Sequence, residues 1–270
     1  SDLIDEPYFE AVQKIMRLKD VLGDVEKTSE QWEFWRINWL PNRKKGQLWR
    51  AKEIPKEQAD PEGDYTAAPA ERVLKKAFMF LSKLGNGGPL HDSIWKKLIY
   101  WTVLKFYKGV KVTGPAHHML PVDRYTPLHV AMAEWNFDPA DIDKVLDSCR
   151  RYFKKNRWPN LPIEIELSKT NDYFMSPRSF ENLDYAVKFN FMYMTDPCTE
   201  EEKKEIFTHL KGLWDHLTDE GIYFKAHWGK INFMDYNFVK ERYNLEEFQQ
   251  YISPYFLNSY LSERLLPNSK

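Results

Sequence analysis

Apolar positions recur along this chain at two different periods, and the changes of period mark out its elements. Phe9, Val12, Ile15, Leu18 and Leu22 fall at three- and four-residue spacings, which predicts a helix over 8–25. Over 31–40 the period becomes two. Trp35, Ile37 and Trp39 then share one face and Phe34, Arg36 and Asn38 the other, as in a half-buried strand. Pro41-Asn42 stops it, Arg43-Lys44-Lys45-Gly46 turns it, and 47–52 returns as the second arm of a hairpin. Residues 54–65, with Pro55, Pro61 and Gly63 among charges, read as a loop. Helical spacing follows over 70–83 and 92–107, joined by the glycine cluster 84–89, and 112–125 reads as irregular. Together these predict a helical insertion over about 67–125.

The second half repeats the alternation. A strand is expected over 128–135, and Asp138 followed by Pro139 opens a helix to about 155 whose stripe is Ile142, Val145, Leu146, Cys149 and Tyr152. Residues 163–167 alternate as a strand that puts Glu164 and Glu166 on one face. Two such acids can work as general acid and base or hold a cation, and they also suit the solvated face of an edge strand. Residues 183–194 form another strand, and Thr199 with Glu202 makes a capping box ahead of the stripe Ile206, Leu210, Leu213 and Trp214. A short strand over 222–224 and a helix from Leu245 complete the pattern. The order is irregular, with hairpins, long connections and no glycine-rich nucleotide fingerprint. It predicts one α+β domain over 1–270, an antiparallel sheet covered by helices.

Charge narrows the partners. Lys and Arg number 39 against 40 Asp and Glu, a net charge of −1, so no global field draws nucleic acid. Cys149 and Cys198 lack neighbours with zinc-type spacing, and the pair His117-His118 has no third ligand nearby, so no metal is expected. The acidic N-terminus and the lack of a long apolar run predict an intracellular chain. Residues 94–108 mix aromatics with lysines at helical spacing. They read either as a helix packed on the protein or as a peripheral contact with a membrane such as that of the endoplasmic reticulum or mitochondrion. Aromatics make up 16% of the chain, which predicts broad aromatic surfaces against a core, a ligand or a partner.

Chemistry concentrates at 221–230, where His227, Trp228 and Lys230 crowd beside Gly229, with Gly221 supplying a turn beforehand. This stretch reads either as a site loop at a strand end or as a solvated aromatic loop.

Several separated stretches, in order, resemble the C-terminal part of the sugar-1,4-lactone oxidases, the flavoproteins that oxidise gulonolactone, galactonolactone and arabinonolactone. They are Phe34-Trp35-Arg36-Ile37-Asn38-Trp39-Leu40-Pro41, Ala133-Glu134-Trp135, Ile163-Glu164-Ile165-Glu166-Leu167, Ser176-Pro177, Ala226-His227-Trp228-Gly229-Lys230 and Phe256-Leu257-Asn258-Ser259-Tyr260-Leu261. The resemblance implies a cap, or substrate, domain folded over an FAD held by a separate domain or chain that is absent from this sequence. It implies catalytic roles for His227 and Lys230, and contacts to a sugar-lactone or polyol substrate from Glu134, Glu164 and Glu166. Contacts to FAD would come from His227, Trp228, Lys230 and Asn258. One departure stands out: Glu166 occupies the place of the family's arginine, an anion where a cation is expected, which favours the alternative reading of a non-catalytic, cap-like structural or interaction subunit.

Overall fold

The computed structural model describes residues 6–22, 28, 30–41, 44–64, 110–119, 130–156, 159, 161–195, 198–253, 255 and 257–267. Its strands are β1 (Tyr8–Arg17), β2 (Phe34–Trp39), β3 (Lys45–Ile54), β4 (Val110–Pro115), β5 (Val130–Phe137), β6 (Ile163–Lys169), β7 (Tyr185–Met194) and β8 (Phe224–Ala226). They make one eight-stranded sheet in the order β4-β1-β3-β2-β6-β7-β5-β8. Every neighbouring pair is antiparallel. The α+β reading of the sequence therefore holds.

Alternation within the strands gives the sheet two unlike faces. One carries Trp35, Ile37, Trp39, Ile163, Ile165, Phe189, Phe191, Trp135 and Phe137, all buried. Helices cover it. Of α1 (Leu18–Leu22), α2 (Ala116–Met119), α3 (Ile142–Lys155), α4 (Glu200–Asp219), α5 (Tyr236–Arg242), α6 (Leu245–Gln249) and α7 (Ser259–Leu265), all but α2 contribute buried side chains to the same cluster. Val145, Cys149 and Phe153 of α3 and Leu210, Leu213 and Leu217 of α4 are fully buried. Each large side chain so placed contributes roughly 1.5–3 kcal/mol of transfer free energy. Cap chemistry sets where these helices begin. Asp138 accepts from Ala140 N–H at 2.7 Å in the short turn leading into α3, and Thr199 and Glu202 form the reciprocal capping box of α4.

The aromatic excess is spent mainly in this core. Trp135 lies 4.6 Å from Phe191, 5.3 Å from Phe224 and 5.5 Å from Trp214 between ring centroids, and Trp214 continues the chain of contacts to Phe238 at 4.6 Å. A smaller cluster of Phe9, Ala11, Trp49, Ala51 and Met119 closes the far end of the other face.

Three local expectations are corrected. Residues 8–17 are a strand, and helix occupies only Leu18–Leu22. The strand lies between β3 and β4, so Phe9 and Val12 are buried on opposite faces and the clean period of two is lost. The stretch read as irregular contains β4, an edge strand bonded to β1, so the helical insertion does not extend through it. Three helices were missed, the short α2 and then α5 and α7, whose starts are marked by Asp235 and Asn258 as caps, and the strand expected over 222–224 lies at Phe224–Ala226. The helices expected over 70–83 and 92–107, and the membrane-contact stretch 94–108, lie outside the described residues. Among the described residues no helix is long and apolar enough to cross a membrane.

The connection over 170–184 is pinned against β8 and the loop that follows it. Lys225, only 6% exposed, donates to the Ser179 carbonyl and to its hydroxyl at 3.0 Å, with the rings of Phe180 and Tyr243 within 5.4 Å and 5.2 Å of its ammonium. Trp228 Nε1 donates to the Met175 carbonyl at 2.9 Å. Gly221, at a φ of +65°, makes the left-handed turn that brings the chain from α4 into β8.

Two predictions follow from this packing. Trp135→Ala should lower unfolding free energy by about 3–5 kcal/mol in urea denaturation, because three aromatic rings lose their shared partner. Burial brings the Lys225 amine down from 10.5 to about 8, opposed by Glu181. Between those two pH values the unfolded chain holds a proton that the folded one has released, so this group makes stability rise with pH across that window. Lys225→Met should remove that rise relative to the parent chain, and identical pH slopes for the two proteins would refute the assignment.

Candidate functional site

The register of the antiparallel ladders lines up a polar row on the face opposite the main core. Glu134 of β5 lies across from Asn190 of β7, Asn190 across from Glu164 of β6, Glu164 across from Asn38 of β2, and Asn38 across from Gln47 of β3. Facing side chains at this spacing touch. Lys230 Nζ donates to Glu134 Oε2 at 2.5 Å and to Asn190 Oδ1 at 3.4 Å, and Asn190 Nδ2 makes a long contact to Glu164 Oε2 at 3.5 Å. Arg36 closes the chain by donating to Glu164 Oε1 at 2.7 Å. Asn38 Nδ2 donates to Gln47 Oε1 at 3.1 Å and extends the row to its end.

A second row runs beside the first. It comprises Lys225, Asn136, Lys188, Glu166, Arg36, Trp49 and Gln13, each across from the next. Glu166 is ion-paired with Lys188. The Glu166 carboxylate is therefore paired with one neighbour, and Arg36 of β2 lies directly across from it on the other side. Asn136 is fully buried, and both polar atoms of its side chain lack a hydrogen-bond partner.

The His227-to-Lys230 loop is held over the end of β5 by its backbone. His227 N–H donates to the Glu134 carbonyl at 2.9 Å and Ile231 N–H to the Met132 carbonyl at 2.9 Å, with a turn between them from Lys230 N–H to the His227 carbonyl. The spacing that separates His227 from Lys230 in an extended chain is thus folded back, and Lys230 alone reaches the row. Asn232 Nδ2 donates to the Lys230 carbonyl at 2.9 Å and to Tyr260 Oη at 2.8 Å, while Tyr260 Oη donates to the Trp228 carbonyl at 3.0 Å. Helix α7 thereby braces the loop from behind.

Lys230, Glu134 and Glu164 are brought together, and Glu166 lies beside them. His227 keeps its ring bond within the loop, where Nδ1 accepts from Gly229 N–H at 3.0 Å. Trp228 is committed to Met175 and packs on Tyr243 at 5.4 Å. Asn258 caps α7 by accepting from Leu261 N–H at 2.9 Å. Sequence reasoning did not single out Arg36, Asn190, Asn38, Gln47 or Lys188. The signal for Arg36 and Asn38 was present in the period of β2, which put both on its polar face, but the partners came only with the register. Of the pair His117-His118, His117 is hydrogen-bonded to Glu6, whose carboxyl it holds below the ordinary range, chiefly through the side-chain hydrogen bond. Among the described residues no group of three or more potential metal ligands occurs.

No curated protein matches the chain. Among solved structures, a solvent-stable cholesterol oxidase is 12% identical with a TM-score of 0.55, over 83% of this chain and 49% of that one. A cholesterol oxidase from Brevibacterium sterolicum is 13% identical with a TM-score of 0.54 over the same shares. At such identities the likeness concerns the fold, and the chain spans about half the length of these structures. The sequence profile of D-arabinono-1,4-lactone oxidase matches residues 2–259. With nearly its whole length covered, the chain belongs to the D-arabinono-1,4-lactone oxidase family.

Proposed function

We propose that this chain, as one domain over 1–270, is the substrate-binding cap of a flavin-dependent oxidoreductase acting on a sugar-1,4-lactone or related polyol, with FAD held mainly by a separate domain or chain. The observation that carries the reading is the hydrogen-bonded run Lys230–Glu134–Asn190–Glu164–Arg36 across the polar face. Two cations stand at the ends of a run of two carboxylates and an amide, an arrangement that suits a hydroxylated lactone on one side and the carbonyl-rich edge of a flavin on the other. The donor set fits the cofactor, because Lys230 and Arg36 offer positive charge at positions fixed by their carboxylate partners. FAD, when bound, supplies the hydride acceptor.

The chain's own residues then divide the work. Lys230 keeps 27% of its side chain exposed while Glu134 keeps 8%, so the ammonium stands at the surface of the row with its counter-ion beneath it. From there it stabilises negative charge that develops above the face. Glu164 has Oε1 on Arg36, leaving Oε2 with only the long Asn190 contact and able to accept a substrate hydroxyl. With Nδ1 accepting from Gly229, neutral His227 carries its proton on Nε2, so it orients a substrate by donating a hydrogen bond rather than by removing a proton. Trp228 and Asn258 act by position, the first by docking the 170–184 connection and the second by starting α7. Pairing of Glu166 with Lys188 removes the charge that would otherwise favour a purely structural cap.

Anaerobic mixing of the flavin-loaded assembly with a panel of sugar-1,4-lactones and polyols should bleach the flavin band with at least one of them. Bound flavin that none of them reduces would overturn the reading. In the same assembly Lys230→Ala should slow flavin reduction by roughly 10–100-fold while weakening substrate binding far less, since its charge is needed as the transition state develops. An unchanged reduction rate in stopped-flow traces would remove Lys230 from this role.

A further inference from the structure

The sheet does not stay closed along its whole length. Strand β2 pairs with β6 from Trp39 across from Ile163 as far as Arg36 across from Glu166. Beyond that point β2 continues with β3 to Phe34, and β6 continues with β7 to Lys169, so the sheet splits between its two halves. The split opens a hollow of about 580 Å³ whose walls include Trp32, Phe34, Trp49, Arg36, Glu166 and Lys169. That volume lies within the roughly 300–1,000 Å³ typical of small-molecule sites.

We infer that this hollow is a second subsite, which takes a neutral sugar ring attached to the reacting one, so that the preferred substrate is a glycosylated or oligomeric sugar derivative rather than a single lactone ring. The inference rests on the proposed function for the identity of the reacting ring, but the binding it describes does not require flavin. Three features support it. First, the hollow is continuous with the polar row: Arg36 lines it while holding Glu164 at 2.7 Å, and Glu166 is the next residue on the same face of β6. A ligand seated on Glu164 therefore extends naturally into it. Second, the charges deepest in the wall are already matched, Arg36 with Glu164 and Glu166 with Lys188. An ionic ligand would have to disrupt these pairs, whereas hydroxyl groups can add hydrogen bonds to them. Third, five of the lining residues, Trp32, Phe34, Trp35, Trp49 and Tyr185, are aromatic, and Phe34 leaves 43% of its surface exposed beside Leu167, Glu33 and Lys169. Flat rings of this kind pack against the C–H faces of a sugar ring, while the carboxylate and the cations reach its hydroxyls.

The experiment follows tryptophan emission of the full chain, because Trp32, Trp35 and Trp49 all line the hollow. The chain is titrated with cellobiose, with glucose and with a monosaccharide 1,4-lactone. The disaccharide should bind roughly tenfold more tightly than glucose, the scale expected when a second ring gains aromatic stacking. Phe34→Ala should erase that advantage and leave the lactone affinity unchanged. Lys169→Ala, at an exposed position, should reduce it in part and serves as the control should Phe34→Ala fold poorly in a circular-dichroism melt. Equal affinities for one ring and two, or a Phe34→Ala variant that weakens both alike, would overturn the subsite. Disaccharide binding that survives while no lactone reduces the flavin would instead count against the proposed function alone.

Discussion

Alternation of side chains across a single antiparallel sheet is the constraint from which the rest of this structure follows. Eight strands share one sheet, so the choice of which residues meet the helices also chooses which residues line the opposite face. A slip of one residue in β6 would carry Ile163 and Ile165 out of the core and Glu164 and Glu166 into it. Burial of Trp39, Trp135, Phe189 and Phe191 therefore holds the polar row in register as firmly as any contact within the row. Core and site are two readings of one pairing scheme.

The row is also a problem in electrostatics, solved by pairing. Glu134 is almost wholly buried, and a carboxylate in that position is costly unless a cation and hydrogen bonds accompany it. Lys230 supplies the cation from a loop whose backbone is bonded to the same strand, so the loop and the carboxylate position each other. Glu164 with Arg36 and Glu166 with Lys188 repeat the arrangement on neighbouring strands. Each carboxylate of the face thus has its own cation, drawn from a neighbouring strand or from the loop.

Where the β2–β6 pairing ends, the same sheet produces a cavity instead of a row. The split is lined by residues that continue each half, so aromatic and charged groups from both halves meet around it. The polar row and the adjoining hollow share Arg36 and together make one elongated surface.

Much of the local structure was legible in the chain itself. The two faces of β2, the Asp138 turn, the Thr199–Glu202 box and the Gly221 reversal all rest on interactions spanning a few residues, and each is found as expected. Strand β1 was not legible, because a strand with neighbours on both sides and burial on both faces loses its period and left a spacing that mimics a helix. Asn258 was noticed for its place in a motif, yet its role as a cap shows only when α7 is seen to begin there. The site divides in the same way. His227, Lys230, Glu164 and Glu166 stood out by residue type and crowding, whereas Arg36 meets Glu164 across 128 residues of sequence. Composition and period decided which face of each strand would be polar. Only the tertiary pairing decided which of those polar groups would touch, because register between distant strands is set by the packing of the whole core.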